Sequence, residues 1–256
     1  MACRWSKIKK FRILAESGRI RPHLPDTRPF SREALDSFLD RYRRVVVKPT
    51  GGSGGQGVLF VTKKSDGYRL RSGTKTKTVS RRETLHDLLH ERTAGRRHLV
   101  QRRIRLARVA GRPFDVRVMV QRRWKKTRWK VTAKLVRIAG RGWLITNTAR
   151  SGGRVATFAG AVRRSDIRGA DLPEGGIRRL ERRIDRLCLR AARRLGRRCR
   201  KLRIVGFDIG VDRGGKPWII EANFRPSKKL FKRLKDKTMY RRIMRYFRGR
   251  TGKRTV

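Results

Sequence analysis

The stretch VVVKPTGGSGGQGVLFV, Val45 to Val61, places Lys48 and Pro49 ahead of a glycine-dense loop and sets a strand-like apolar run on each side. Gly52, Gly54 and Gly57 satisfy G-x-G-x-x-G. A dinucleotide-binding unit needs a helix after the third glycine, and Val58 to Val61 reads as a strand, so that reading fails. The Gly-Lys-Ser/Thr ending of a Walker loop is absent, as are the HRD and DFG sets of a protein kinase. What is left is a glycine loop on a β-hairpin, with Lys48 on the strand before it. Backbone N–H groups free of side chains can close over phosphate oxygens, and a neighbouring lysine offers a compact positive charge. A plain surface hairpin has the same composition, so both readings stand at this point.

Outward from the loop, Tyr68 to Val79 alternates as an extended segment. Ser80 and Glu83 form an S-x-x-E capping box before a helix with Leu85, Leu88 and Leu89 on one face and Gly95 as its stop. Strands are expected at His98 to Ile104, Asp115 to Gln121, Trp129 to Ile138 and Trp143 to Asn147. A second helix over Ile177 to Leu195 carries Ile177, Leu180, Ile184, Leu187, Ala191 and Leu195 along one stripe, with Gly196 after it. The order lacks a steady βαβ rhythm, so the fold class is α+β with mixed or antiparallel sheets.

A final hairpin is expected over Leu202 to Asn223, and the stretch IVGFDIGVDRGGKPWIIEANFRP, Ile204 to Pro226, carries its chemistry. A two-residue Gly214-Gly215 turn pairs Arg213 with Lys216 and sets Asp208 opposite Glu221, with Asn223 on the same face. Two carboxylates facing across a ladder repel unless a cation lies between them. Oxygen ligands of this kind suit Mg²⁺ completed by nucleotide phosphates. Neutralisation of both acids by neighbouring Arg and Lys is the alternative.

The 256 residues hold 73 Lys+Arg against 19 Asp+Glu, a formal net charge of +54, spread along the whole chain. Such a surface attracts polyanions, and salt-sensitive, sequence-indifferent contact with nucleic acid follows from charge alone. With 37% apolar residues the chain can bury a core. No run approaches the roughly 18–20 apolar residues of a membrane helix. Cys3, Cys188 and Cys199 form neither a CxxC pair nor an even disulfide framework, which suits a reduced, cytoplasmic setting. His86 and His90 stand at i and i+4, but the acid between them is Asp and no third ligand is evident, so an amphipathic helix surface is the better reading than zinc. Cys188 falls beside the Leu187 stripe and reads as core.

Together these segments resemble the ATP-grasp superfamily, and more closely its YheC/YheD type from spore-forming bacilli. The resemblance is carried by LPDTRPFS at Leu24 to Ser31, the glycine hairpin, LVQRRIRLA at Leu99 to Ala107, GRPFDVRVMVQ at Gly111 to Gln121, Trp129 and Thr132, TNTARSGG at Thr146 to Gly153, and the FDIG/EANFRPS hairpin. It covers about Lys7 to Ser227, and implies a nucleotide held between two α+β lobes, an ATP-grasp domain over about 31–226 with lobes of about 31–100 and 101–226, a lead-in over 1–30 and a basic helical tail over 227–256.

By that resemblance Lys7 and Lys48 are the nucleotide lysines, Gly52, Ser53, Gly54, Gly55 and Gly57 cover the phosphates, and Gln101, Arg102 and Ile104 form the hinge against adenine. Asp115 and Arg117 sit near phosphate and substrate, Asn147 and Arg150 face the triphosphate, and Asp208, Glu221 and Asn223 hold Mg²⁺. The implied activity is an ATP- and Mg²⁺-dependent carboxylate–amine ligase acting through an acyl phosphate, with unknown carboxylate and amine substrates and with spore association. A polyanion-binding or spore-structural protein that keeps the fold is the alternative. The sequence departs from the pattern at Arg150, where Ser151 intervenes before Gly152-Gly153. It departs again at the Gln101-Arg102-Arg103 hinge, which lacks an acid.

Overall fold

A computed structural model describes residues 3, 5–52, 54–123, 128–168 and 173–248. Ser53 lies outside the described residues. In chain order the elements are α1 (Lys7–Ala15), β1 (Thr27–Pro29), α2 (Arg32–Tyr42), β2 (Arg44–Pro49), β3 (Leu59–Lys64), β4 (Gly67–Ser72), β5 (Lys75–Val79), α3 (Arg82–Thr93), β6 (His98–Arg102), β7 (Arg108–Val109), β8 (Arg112–Gln121), β9 (Lys130–Ile138), α4 (Thr148–Ser151), β10 (Arg154–Ala156), α5 (Phe158–Arg163), α6 (Glu174–Arg198), β11 (Ile204–Val211), β12 (Pro217–Asn223) and α7 (Thr238–Arg248).

The strands make two antiparallel sheets, one ordered β1-β6-β2-β3-β4-β5 and the other β10-β9-β8-β11-β12 with β7 on the start of β8. The period of two decides what each sheet buries. Val45 and Val47 of β2 point to one core with Leu35, Phe38 and Leu39 of α2 and Leu85 and Leu89 of α3. Val116, Val118 and Val120 of β8 and Val205, Phe207 and Ile209 of β11 meet the apolar stripe of α6 in a second, larger core. The opposite faces of the two sheets are therefore left to line the space between them. Ile13 and Leu14 of α1 belong to the larger core, and Thr27 of β1 pairs with Gln101, so residues 7–29 are packed into the body of the fold. Ile243 of α7 is buried with Met119 and Leu135.

Several local expectations are corrected. Trp143 to Asn147 is not a strand: Trp143 packs on Gly73, Ile145 on Gly55, and Thr146 donates to Asp115, so successive side chains serve different neighbours and no ladder forms. The Tyr68 to Val79 segment is a hairpin turning at Gly73 (φ 61°) rather than one extended run. In α3 the N-cap is Arg81, with no side-chain cap bond, in place of the Ser80 capping box. Gly196 lies inside α6 instead of ending it; a Cβ there would stand 3.0 Å from the Trp129 ring, so the glycine admits that ring.

The cysteine expectation also fails. Cys3 and Cys199 are joined by a disulfide, because the packing of α1 along α6 brings together residues 196 apart in sequence, a proximity that spacing cannot show. Cys188 is a buried free thiol, as its place beside the Leu187 stripe suggests, and burial pushes its pKa up. Among the described residues no helix is long and apolar enough to cross a membrane.

Candidate active site

The inner faces of the two sheets enclose a cleft of about 840 Å³. Its floor on the first sheet comes from alternation: with Val45 and Val47 committed to the core, Arg44, Val46 and Lys48 face inward, and Gln101 and Phe60 stand opposite Val46 on the neighbouring strands. The Lys48 ammonium donates to Gln101 Oε1 at 2.8 Å, and Gln101 in turn donates to Thr27 Oγ1. Burial lowers the Lys48 pKa to about 8. Gln101 therefore positions the lysine, while Arg102 and Ile104 continue the cleft wall.

On the second sheet, Asp115 faces Arg137 and Arg117 faces Asp208 in the β-ladder, and Asp208 faces Glu221. Arg137 pairs with Asp115 through Nε at 2.8 Å and reaches Asp208 at 3.0 Å; Arg117 Nε donates to Asp208 at 2.6 Å. Thr146 completes the shell of Asp115. Burial would raise the Asp208 pKa, but the Arg117 and Arg137 guanidiniums hold it below the usual carboxylate value. Arg137 is shifted upward: burial opposes its charge, and the Asp115 and Asp208 carboxylates outweigh that.

Asp208 does stand opposite Glu221, but by a different route from the one the sequence suggested. The turn has three residues, Arg213 to Gly215, with Gly215 at φ 73°, because Asp212 Oδ1 accepts from the N–H groups of both Gly214 and Lys216. That offsets the pairing by one residue, so that Val211 meets Pro217, and a β-bulge between Asp208 and Ile209 on the paired register restores it. The extra residue is Ile220, and it and Glu221 both line the cleft. Asn223, opposite Gly206, lines it as well.

The roof is the glycine loop. Gly52, Gly54, Gly55 and Gly57 all have φ between 68° and 75°, a region that side chains other than glycine disfavour. Gly54 and Gly55 line the cleft, and a Cβ on Gly55 would stand 2.9 Å from Ile145 of the other lobe. Asn147 caps α4 and lines the cleft, and Arg150 Nε donates to the Gly54 carbonyl at 3.2 Å, so Arg150 ties the roof to the opposite lobe. Lys7 is turned to the loop as well: its ammonium donates to the carbonyls of Pro49, Gly51 and Gly52 and lies 4.0 Å from Glu221. Lys7, Gly52, Gly57 and Arg150 thus brace or shape the loop from outside the cleft lining, while Lys48, Asp115, Arg117, Asp208 and Glu221 lie within it.

Two contributors were not legible in the sequence. Arg137 joins Asp115 to Asp208, yet it is one basic residue among 73, and only its register opposite Asp115 singles it out. Lys10, buried and bonded to the Ala222 carbonyl at 2.6 Å, sits below Glu221 beside Lys7, and burial lowers its pKa. His86 is bonded to Asp36, and among the described residues no group of three or more His, Cys, Asp or Glu is placed to hold a metal.

Two α+β lobes closed on a cleft, with a glycine hairpin from one lobe over a carboxylate hairpin from the other, define a protein of the ATP-grasp fold. The chain belongs to the YheC/D like ATP-grasp family, whose profile matches residues 2–248. It is 27% identical over 237 residues to the endospore coat-associated protein YheD of Bacillus subtilis (strain 168), covering 89% of this chain and 49% of that one. With YheC of the same organism, also named endospore coat-associated, identity is 25% over 221 residues, 84% of this chain and 58% of the relative. The chain thus spans about half the length of these relatives. Among solved structures it resembles the ATP-grasp ligase PsnB complexed with precursor peptide PsnA2 and AMPPNP, with a TM-score of 0.53 and 15% identity over 97% of this chain and 60% of that one. The PsnB complex with a phosphomimetic minimal precursor, Mg and ADP gives 0.55 and 14%, over 96% and 58%. At these identities the likeness carries the fold.

Proposed function

We propose that the cleft binds ATP with Mg²⁺ and that the chain is a carboxylate–amine ligase working through an acyl phosphate. The observation that carries this reading is the meeting of Asp208, Glu221 and Lys48 under a roof whose glycines hold left-handed backbone. The donor set fits the metal. Asp208 and Glu221 offer carboxylate oxygens and Asn223 an amide oxygen on one hairpin, and a carboxylate bonded to two guanidiniums retains lone pairs for a cation. Two acids and an amide leave the remaining ligand positions to phosphate oxygens and water, the usual way Mg²⁺ is held, and when bound it would neutralise phosphate charge.

This chain's own residues supply the rest. Lys48, buried and steered by Gln101, directs its ammonium into the cleft where phosphate charge would lie. The 54–55 backbone lies over that place and brings N–H groups free of side chains to it. Arg117 is fixed by Asp208, and Arg137 by Asp115 and Asp208, so that guanidinium N–H groups are oriented before any ligand arrives. A substrate carboxylate would accept the terminal phosphoryl group, and an amine would then displace phosphate. The arrangement needs no Ser–His or Cys–His pair.

The test is calorimetric titration of ATP with and without Mg²⁺ at raised salt, where nonspecific phosphate attraction is screened. The expected result is Mg²⁺-dependent binding that Glu221→Gln weakens about tenfold or more, while leaving the melting temperature unchanged. ATP binding indifferent to both Mg²⁺ and Glu221→Gln would refute the assignment.

A second reading has its own observation. Arg179, Arg182, Arg183, Arg186, Arg190 and Arg193 are exposed along α6, and among the described residues none has an acidic partner. Such a stripe suits a polyanion, nucleic acid included, and would operate beside nucleotide binding or in place of turnover. Spore association, carried over from the names of the relatives, is proposed on the same footing. Charge reversal of four of these arginines is expected to abolish retention on heparin at moderate salt; unchanged retention would remove α6 as the surface.

A further inference from the structure

At ~3.3 Å per residue, β2 carries Arg44 roughly 13 Å from Lys48 along the same inner face, which puts Arg44 at the far end of the cleft from the glycine loop. Arg103 and Arg105, from the segment after β6, line the cleft there with Arg44. Arg103 lies over the Phe60 ring, 5.1 Å from its centroid, so its guanidinium is held against the cleft floor. Among the described residues none of these three arginines has an acid within ion-pair distance.

The acids of that rim are already engaged. Asp166 pairs with Arg213 at 2.8 Å and accepts from the Arg108 N–H; Asp212 accepts from the N–H groups of Gly214 and Lys216 and from the Trp218 indole. Burial, followed by the charges of Arg44, Arg108, Arg71 and Arg105, lowers the Arg103 pKa to about 10. Arg44 and Arg103 are half-buried and Arg105 is exposed; like charges gathered along one cleft wall oppose folding, and an entering anion relieves that cost.

We propose that Arg44, Arg103 and Arg105 form a second anion site, for a phosphate monoester, at the hinge end of the cleft. Three guanidinium forks match phosphate oxygens pairwise, and a dianion answers this charge better than a single carboxylate does. The nucleotide reading enters only in fixing the neighbour: with the triphosphate under the glycine loop, the nucleoside extends toward the hinge. The phosphate is then borne either on the ribose or by a separate ligand beside it.

Calorimetry on the full chain at raised salt separates these sources, using AMP, adenosine 2′,5′-bisphosphate and adenosine 3′,5′-bisphosphate as probes, and inorganic phosphate added to the Mg-ATP-loaded chain. A bisphosphate binding about tenfold tighter than AMP identifies the ribose as carrier, and phosphate binding to the loaded chain identifies a separate ligand. In either case Arg44→Gln with Arg105→Gln should remove the gain and leave AMP binding within about threefold, and Arg105→Gln alone should remove part of it. If ATP and AMP fail to bind while inorganic phosphate binds the free chain and is lost in the double variant, the nucleotide reading falls and the anion site stands. Bisphosphates that bind no better than AMP together with no phosphate binding, or a gain untouched by the double variant, overturn the proposal.

Discussion

The two ends of the cleft treat charge in opposite ways. Toward the glycine loop and through the middle, charges other than Lys48, which meets the neutral Gln101, are answered: Asp208 by two arginines, Asp115 by Arg137 and Thr146, Lys7 by three carbonyls and Glu221. At the hinge end Arg44, Arg103 and Arg105 line the cleft together, with no acid in ion-pair distance of them among the described residues. A compensated buried charge positions its neighbours and holds the fold; an uncompensated one waits for a ligand. Removing a charge should therefore damage the first end and relieve the second.

Asp208→Asn puts the most at stake. Two facing acids by themselves predict relief of repulsion, but the structure makes Asp208 the counter-ion of Arg117 and shares it with Arg137, so the substitution strands buried guanidinium charge. A loss of about 3 kcal/mol in denaturant unfolding is expected, with Mg-ATP binding abolished. An unchanged unfolding midpoint would mean that the middle of the cleft is no more dependent on compensation than its hinge end.

Next in size come Gly54→Val and Gly55→Val, which test whether the loop end is shaped by backbone as well as by charge. Both glycines have φ 75°, where a β-branched residue is strained, and at position 55 the new Cβ meets Ile145. ATP affinity should fall about tenfold, with little change in stability because the strain sits in a loop. Variants that bind nucleotide as the parent does would reduce the roof to a flexible turn.

A smaller effect is expected from pH. Lys48 has its folded pKa lowered from 10.5 to about 8, so between those values the unfolded chain holds the proton and the folded chain does not. Stability should rise with pH across that window, and the gain is absent below about 8. Phosphate binding runs the other way, since it needs the ammonium: ATP affinity should drop about fourfold from pH 7 to about 8.5, by roughly the ratio of protonated lysine. Lys48→Met should flatten both slopes, and slopes that persist in it would assign the titration elsewhere. The smallest change is expected from Arg105→Gln, where relief of like charge should raise the melting temperature by about 1–2 °C at low salt, fading as salt is added. A lower melting temperature would show that Arg105 has a stabilising role the described contacts do not reveal.

What the sequence disclosed follows from which signals are local. The glycine loop, the α6 stripe and the Asp208–Glu221 hairpin announce themselves by composition and period, and the order of elements gives the α+β class, whereas the two-lobe architecture is implied by the family resemblance. Helix α2 carries equally local signals, with Ser31 as N-cap and Leu35, Phe38 and Leu39 on one face. Arg137, Lys10 and the Cys3–Cys199 bond were not readable, because each acquires its meaning only from a partner brought near by packing. In a chain with 73 basic residues, residue type alone distinguishes neither Arg137 nor Lys10.

The offset turn and the bulge at Ile220 have a consequence for how this hairpin can change length. In alignment terms they are two frame shifts of opposite sign, one at Arg213–Gly215 and one at Ile220, and only their pairing keeps Glu221 out of the α6 core and in the cleft. A chain whose turn differs by one residue needs a matching change between that turn and Glu221. Gaps that look independent in one dimension should therefore occur together: a hairpin with the three-residue turn alone would set its second acid opposite Phe207, and one with the bulge alone opposite Ile209.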